Sequence, residues 1–177
     1  MDHNYTGQYQ NVTLFPLSKQ HIQLLRNWRN DSKNAKYLRS IPFITPDMQE
    51  QWYEDYLKNE DEICFVIFEN QVLNRVVGSL SLYDFNGNQA EFGKILIGDA
   101  EAHGKSVGYH AILAVLRIAF EELKLETVVL HVYEENIAAR HIYEKAGFKK
   151  IDSKPINDMT ENYMELQRSC YLKMFSK

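Results

Sequence analysis

Apolar and polar residues follow two different periods along the chain, and together these predict an alternation of strands and helices. Short runs rich in β-branched and aromatic residues predict strands, whereas apolar residues three and four positions apart predict helices. The predicted strands cover residues 12–17, 62–69, 75–85, 89–98 and 126–134, and the alternating segment 161–174 predicts a last strand. The predicted helices cover residues 18–31, 45–57, 106–123 and 136–148. This mixture predicts an α/β fold around a central sheet.

Local signals mark the ends of several of these elements. Thr45 is a favourable helix cap, and Pro46 suits the first helical position. Residues 86–88, Asn-Gly-Asn, predict a hairpin turn between two strands. Gly147 predicts a left-handed helix end of the Schellman type, with Phe148 as its apolar partner.

Length and charge narrow the class of protein. A chain of 177 residues with 45% apolar residues is expected to form one domain, 12–177, after a polar N-terminal tail, 1–11. The net charge of −4 and the lack of a basic block give no electrostatic surface for nucleic acid, so we expect no such partner. No apolar run approaches the roughly 18 residues of a membrane span, so no membrane association is expected.

The cysteines and histidines predict no metal site. Cys64 and Cys170 are far apart and have no metal-ligand spacing, which is typical of two thiols in a reducing compartment. The histidines show no metal-binding spacing either. We therefore expect a cytoplasmic protein without a metal.

The segment 97–111 holds the first candidate for binding chemistry. Gly104-Lys105-Ser106 matches the end of a nucleotide-binding P-loop, but Asp99 stands where that motif requires a glycine. A predicted strand ends near Gly98 and a long helix follows, and the unpaired amides of a helix start bind phosphate. The residues favour an anion-binding turn over a plain strand-to-helix loop, and a P-loop nucleotidase, with Glu134-Glu135 as its acidic pair, is a remote alternative.

A second motif changes this interpretation. Alone, Asn136 is a helix cap and Tyr143 a core aromatic residue. Together with the loop, however, the series Asn136, Ala139, Tyr143, Gly147 and Phe148 resembles the GNAT superfamily of acetyl-CoA-dependent N-acetyltransferases. The resemblance implies a single-domain α/β fold, with a central mixed, mostly antiparallel sheet flanked by helices.

The cofactor loop of that family, Arg/Gln-x-x-Gly-x-Gly/Ala, is only partly present. His103 stands for the first residue, Ser106 stands for the middle glycine, and Gly108 is kept. The resemblance implies that the backbone amides of the loop hold the pyrophosphate of acetyl-CoA; the loop residues are His103, Gly104, Lys105, Ser106, Val107, Gly108 and Tyr109.

The resemblance also implies the remaining roles. The strand edge at Leu96, Ile97 and Gly98 would hydrogen-bond the pantetheine arm, and Asn136 would contact the same arm. Tyr143 would protonate the departing thiolate. Glu91 is the candidate base for the attacking amine; its alternative is a solvated strand residue.

The acceptor is expected to be a primary amine that attacks the thioester directly. The N-terminal helices usually wall its site, and here they resemble those of the ribosomal-protein alanine, spermidine and amino-sugar acetyltransferases. Trp28, Arg29 and Phe43 are the candidate substrate residues, with ordinary packing or solvation as the alternative. The acceptor class stays open between an amino-sugar nucleotide, whose diphosphate Arg26 and Arg29 could meet, a protein N-terminus, and a polyamine, which would need acidic walls. The residues available for such walls are Asp47, Glu50, Glu54 and Asp55.

Two further points complete the expectation. The protein would work as a monomer or homodimer on a small-molecule or peptide amine. The alternative to an enzyme is a non-catalytic module that binds or senses coenzyme A, which the altered cofactor loop favours and Tyr143 opposes.

Overall fold

A computed structural model describes residues 3–37 and 42–175, in which eight strands and five α-helices form one α/β layer structure. The strands are β1 (Gly7–Tyr9), β2 (Val12–Pro16), β3 (Glu62–Glu69), β4 (Arg75–Asn86), β5 (Gln89–Ile97), β6 (Thr127–Tyr133), β7 (Lys149–Ile156) and β8 (Met159–Gln167). The helices are α1 (Ile22–Asn30), α2 (Pro46–Lys58), α3 (Val107–Arg117), α4 (Ile137–Lys145) and α5 (Arg168–Phe175). Short 3-10 helices cover Lys19–His21, Ser32–Tyr37 and Ala100–Ala102, and a π-helical turn covers Ile118–Glu122.

The strands form a single sheet in the order β1-β2-β3-β4-β5-β6-β8-β7. Every neighbouring pair is antiparallel except β5 and β6, which α3 connects in parallel. The predicted mixed, mostly antiparallel sheet flanked by helices is therefore confirmed.

The two faces of the sheet carry different helices. Phe65, Leu80 and Phe92 point to the face that α3 and α4 cover, and all three are fully or nearly fully buried. Side chains one position away, such as Cys64 and Val66, point to the opposite face and pack with α1 and α2. We call these the α3 face and the α1–α2 face.

The parallel pair β5–β6 separates soon after it begins. Only residues 89–91 of β5 pair with residues 127–129 of β6. One extra residue in β5 opposite β4, beside Lys94 with φ +52°, bends the strand. Beyond Glu91 the edge of β5 that faces away from β4 therefore pairs with no strand of the described chain. We call this opening the β5–β6 gap.

The local signals in the sequence explain the element ends. The Thr45 hydroxyl accepts a hydrogen bond from the Met48 amide (3.3 Å), as expected of a cap. Gly147 has φ +99°, and the Phe148 amide donates to the Tyr143 carbonyl (3.0 Å), which is the bond of a Schellman turn.

Three segments differ from the sequence-based expectation, and one of them is β7, where no strand range was predicted. Within the segment 1–11, described above as a polar tail, residues 7–9 form the edge strand β1, so the sheet begins before residue 12. The prediction of a strand through residue 174 is wrong, because β8 ends at Gln167 and α5 follows. Tyr171 of α5 is buried against Phe120 (ring centroids 4.9 Å apart), and this distant contact favours the helix.

The residue before α3 has an uncommon backbone conformation. Ser106 has φ +59° and ψ +13°, in the left-handed region. A Cβ atom in this region crowds the backbone at a cost of about 1–2 kcal/mol, which glycine avoids. This position is where the resemblance places a glycine, so the serine adds local strain to the start of α3.

Replacing Ser106 by glycine should raise the free energy of unfolding by about 1 kcal/mol, because the left-handed conformation no longer crowds a Cβ atom. Chemical denaturation would measure the change. Ser106→Ala is the matched control: it removes the hydroxyl but keeps the Cβ, so it should not stabilise. Equal stabilisation by both substitutions would contradict backbone strain as the cause.

Candidate active site

The cradle, residues 103–109, joins β5 to α3 and presents unpaired backbone amides. The first helical hydrogen bond of α3 runs from the His110 amide to the Ser106 carbonyl (2.9 Å). The amides of residues 107–109 therefore have no helical acceptor within the described chain. Gly104 has φ +77°, and no atom lies within 4 Å of where its Cβ would be. Open amides at the positive end of a helix can bind phosphate.

Asn11, in the turn between β1 and β2, holds the cradle. Its Nδ2 donates to the Lys105 carbonyl (3.4 Å), and its Oδ1 accepts from His110 Nδ1 (2.5 Å). Lys105 Nζ donates to the Glu101 carbonyl (2.7 Å), so the ammonium is tied to the loop backbone. The role of Asn11 could not be predicted, because one polar residue in a turn forms no recognisable sequence pattern.

Arg75 neutralises the acidic residues that precede the cradle. Its guanidinium bonds Asp99 Oδ2 (2.7 Å) and also pairs with Glu101. The bond from Arg75 holds the pKa of Asp99 below its usual value. Two carboxylates beside an anion site would repel a phosphate, and Arg75 reduces that repulsion.

The end of β5, where the pantetheine arm is expected, is ordered by three contacts. The Gly98 amide donates to the Val77 carbonyl (3.0 Å). His103 Nε2 donates to the Ile97 carbonyl (3.0 Å). The Trp28 ring packs so closely on Gly98 that no Cβ would fit there. Trp28 thus supports the strand end on the α1–α2 face.

Tyr143 lies on the α3 face beside the β5–β6 gap. Its ring makes edge contacts with Phe92 and Phe148, at centroid distances of 6.0 and 6.1 Å. Burial raises the pKa of Tyr143 to about 12. The phenol is therefore protonated throughout the neutral pH range and is available as a proton donor.

Asn136 caps α4, as the simpler interpretation of the sequence predicts. Its Oδ1 accepts from the Ala139 amide at 3.3 Å. In the described chain its Nδ2 bonds no other residue. Capping uses one end of this side chain and leaves the amide donors for a ligand.

Glu91 lies on the α1–α2 face at the point where β5 and β6 part. Its Oε1 accepts from the Tyr83 hydroxyl (2.5 Å), and His131 Nδ1 lies 3.2 Å from the same oxygen. Within the described chain the Oε2 atom of Glu91 has no partner, and 16% of the Glu91 side chain is exposed to solvent. Glu91 is therefore oriented by two neighbours while one oxygen remains available.

Tyr143 and Glu91 consequently flank the gap from opposite faces of the sheet. Phe92, which contacts Tyr143, is adjacent in sequence to Glu91, and adjacent strand residues point to opposite faces. A proton acceptor and a proton donor thus lie on either side of an unpaired strand edge. The sequence could not show this arrangement, because it depends on where two strands stop pairing.

A cavity of about 370 Å³ opens on the α1–α2 face. Among its lining residues, α1 contributes Arg29, α2 contributes Met48 and Trp52, and the sheet contributes Glu62, Ser79 and Lys94. Lys94 Nζ bonds Glu62 Oε2 (2.7 Å) and lies 4.4 Å from the centroid of the Tyr83 ring. Because the Tyr83 hydroxyl bonds Glu91, Tyr83 connects Lys94 in the cavity lining to Glu91.

Of the three candidate substrate residues, only Arg29 lines this cavity. Trp28 packs on Gly98, and Phe43 is 69% exposed outside the lining. The sequence analysis did not identify Lys94, Ser79 and Ser81 as residues that line the cavity. The position of Ser79 could have been predicted, because polar and apolar residues alternate along β4 and Ser79 therefore lies on the face opposite the apolar residues.

Two kinds of feature are absent from residues 3–37 and 42–175, a metal-binding cluster and a membrane-spanning helix. These residues contain no cluster of three or more histidine, cysteine or acidic residues that could hold a metal ion. They also contain no helix that is long and apolar enough to span a membrane.

Known proteins are similar to this chain in sequence and in architecture. A family model described as acetyltransferase (GNAT) domain matches residues 11–149. Spermidine N(1)-acetyltransferase from Vibrio cholerae is 30% identical over 139 residues, covering 77% of this chain and 78% of the relative. Acetyltransferase PseH from Campylobacter jejuni is 22% identical over 136 residues, covering 77% and 82%.

The fold agrees with a solved structure as well. The crystal structure of spermidine N-acetyltransferase from Vibrio cholerae in complex with CoA and spermine has a TM-score of 0.82 and 28% identity, covering 92% of this chain and 98% of that one. Since the family model spans most of the chain and includes the cradle, Glu91 and Tyr143, this protein belongs to the GNAT acetyltransferase family.

Proposed function

We propose that this protein transfers the acetyl group of acetyl-CoA to a primary amine by direct attack on the thioester. The observation that carries the proposal is the placement of Glu91 and Tyr143 on opposite sides of the β5–β6 gap, next to an anion-binding cradle. Family membership supports the acetyl transfer, and the structural relative binds CoA.

The cradle would bind the pyrophosphate of acetyl-CoA. Open amides at residues 107–109 supply the donors, and Arg75 reduces the repulsion from the neighbouring carboxylates. The unpaired edge of β5 beyond Glu91 would offer backbone groups to the pantetheine arm in the manner of an added strand. The free Nδ2 of Asn136 would donate to the same arm.

Glu91 and Tyr143 would divide the proton transfers. Glu91 removes a proton from the acceptor ammonium, directly or through water, and frees the nitrogen lone pair to attack the acetyl carbon. The carbon–sulfur bond then breaks, and Tyr143 gives its proton to the departing sulfur. With its pKa near 12 the phenol is a weak acid, so it acts best on a thiolate that already carries developed charge. Holding the two reactants together supplies much of the rate.

The function predicts acetyl-CoA-dependent thiol release on addition of an amine. Tyr143→Phe should lower kcat about 100-fold, because the proton donor is lost, while the Kd of acetyl-CoA changes less than about twofold. Tyr5→Phe removes a partly buried tyrosine hydroxyl outside the site and is the matched control. An unchanged kcat would remove Tyr143 from the mechanism. If coenzyme A bound but no amine released thiol, the protein would be a coenzyme A sensor.

Glu91→Gln tests the base through the pH dependence of the rate. At pH 7 the substitution should lower kcat/KM about 100-fold. A primary amine in solution has a pKa of about 10, so it is mostly protonated at pH 7 and needs a base before it can attack. The deficit should shrink as the pH approaches the pKa of the amine, since solvent then removes the proton. Glu144→Gln, an exposed carboxylate on α4, is the control. A deficit that stays constant with pH would show that Glu91 has only a structural role.

Some expectations from the sequence stay predictions. These are a cytoplasmic location and action as a monomer or homodimer. The absence of nucleic-acid and membrane partners also stays a prediction. The acceptor is a primary amine in this proposal, and the three classes named from the sequence are separated below.

A further inference from the structure

The α1–α2 cavity holds a cation, Arg29, that has no direct ion-pair partner among the described residues, although the charge of Glu62 attracts it from a distance. Lys94 and Glu62 form an ion pair, but Arg29 has no carboxylate within ion-pair distance in the described chain. Burial lowers the pKa of the Arg29 guanidinium, so its charge lies in a partly dehydrated place. A desolvated charge is costly unless a partner compensates it. An anion that enters the cavity would provide that partner.

The acidic residues of α2 do not supply it. Glu50 pairs with Lys19 (3.1 Å) and also accepts a hydrogen bond from Gln23 of α1 (3.4 Å). Asp55 lies 4.0 Å from Lys58 of the same helix, and neither carboxylate lines the cavity. Asp47 and Glu54 are exposed, and neither lines the cavity. The acidic walls that a polyamine would need are therefore turned away from this site.

A polyamine would also meet unfavourable charge inside. The described lining contains the cations Arg29 and Lys94, whereas its carboxylate, Glu62, is already bonded to Lys94. Each added ammonium would approach a guanidinium that lacks a direct ion-pair partner, in a partly buried space where like charges repel more strongly than in water.

The walls suit an acceptor with an apolar body or ring. Met48 and Trp52 line one side, and Trp52 stacks on Tyr56 with the rings inclined by 16°. Lys94 lies over the Tyr83 ring, and the Tyr83 hydroxyl bonds Glu91, so the Lys94 end of the cavity is the end that these contacts connect to the candidate base. The cavity thus offers one place for an amine, one for an apolar body and one for an anion.

We infer that the acceptor is an amine that also carries a phosphate or carboxylate group, which Arg29 binds, and that it is not a polyamine. This inference rests on the proposed acetyl transfer for its turnover assays. A guanidinium binds two oxygens of such a group at once, which gives orientation as well as affinity.

Matched pairs of amines test the inference and separate the two sources of anion. One pair is a uridine-diphosphate-linked amino sugar and the methyl glycoside of the same sugar; the other is phenylalanine and 2-phenylethylamine. In one pair, the member that carries the phosphate or carboxylate should have a kcat/KM at least tenfold higher than that of the member without it. This kcat/KM should also exceed that of spermidine. The pair that responds identifies phosphate or carboxylate. Spermidine as the best substrate would overturn the inference.

Arg29→Gln should remove that preference. It should raise the KM of the charged acceptor at least tenfold, while the KM of acetyl-CoA stays within about twofold. Arg117→Gln is the matched control and should leave both constants unchanged. Arg117 is the exposed last residue of α3 and pairs with Glu121 in the turn that follows. An unaltered preference in Arg29→Gln would also overturn the inference.

A binding measurement keeps the inference testable without turnover. Uridine diphosphate, phenylalanine and spermidine are titrated by calorimetry into protein saturated with coenzyme A, which occupies the cradle. We expect one anion to bind, to lose at least tenfold in affinity in Arg29→Gln, and spermidine not to bind. No anion binding, or spermidine binding that Arg29→Gln strengthens, would overturn the inference. Absent thiol release with intact anion binding would instead count against the proposed function.

Discussion

The site depends on where the hydrogen bonding between β5 and β6 stops. Three residues of each strand pair, and then a bulge beside Lys94 turns β5 away. Had the pairing continued, β6 would cover the edge of β5, and no extended ligand could use its backbone groups. The interruption costs the sheet several hydrogen bonds that a ligand could replace. It also fixes Glu91 and Tyr143 on either side of one opening, since both are attached to elements that meet there.

The supports around this opening come from parts of the chain that are distant in sequence. Asn11 fastens the cradle from the β1–β2 turn, and Arg75 offsets the loop carboxylates from the start of β4. Trp28 packs on Gly98, while the next residue, Arg29, lines the α1–α2 cavity. The helix α1 therefore supports the end of β5 with one residue and lines the candidate acceptor site with the next.

The sequence predicted the parts of this architecture that local chemistry determines. The cap at Thr45, the turn at residues 86–88 and the end of α4 at Gly147 each depend on a few neighbouring residues, and the structure confirms them. The strand expected at 168–174 is a helix because burial of Tyr171 against Phe120 outweighs the alternating pattern. The Glu91–His131 approach and the Lys94–Glu62 pair join different strands, so no local pattern could reveal them.

The unpaired edge of β5 also has a consequence for solubility. An exposed strand edge is a template for pairing with another chain, and such edges promote aggregation. Natural proteins discourage this with bulges and lysines on the edge strand. Lys94 combines the two, because it lies at the bulge and carries a charge. The bend that opens the strand to a small ligand thus makes it a poor partner for a second, straight strand.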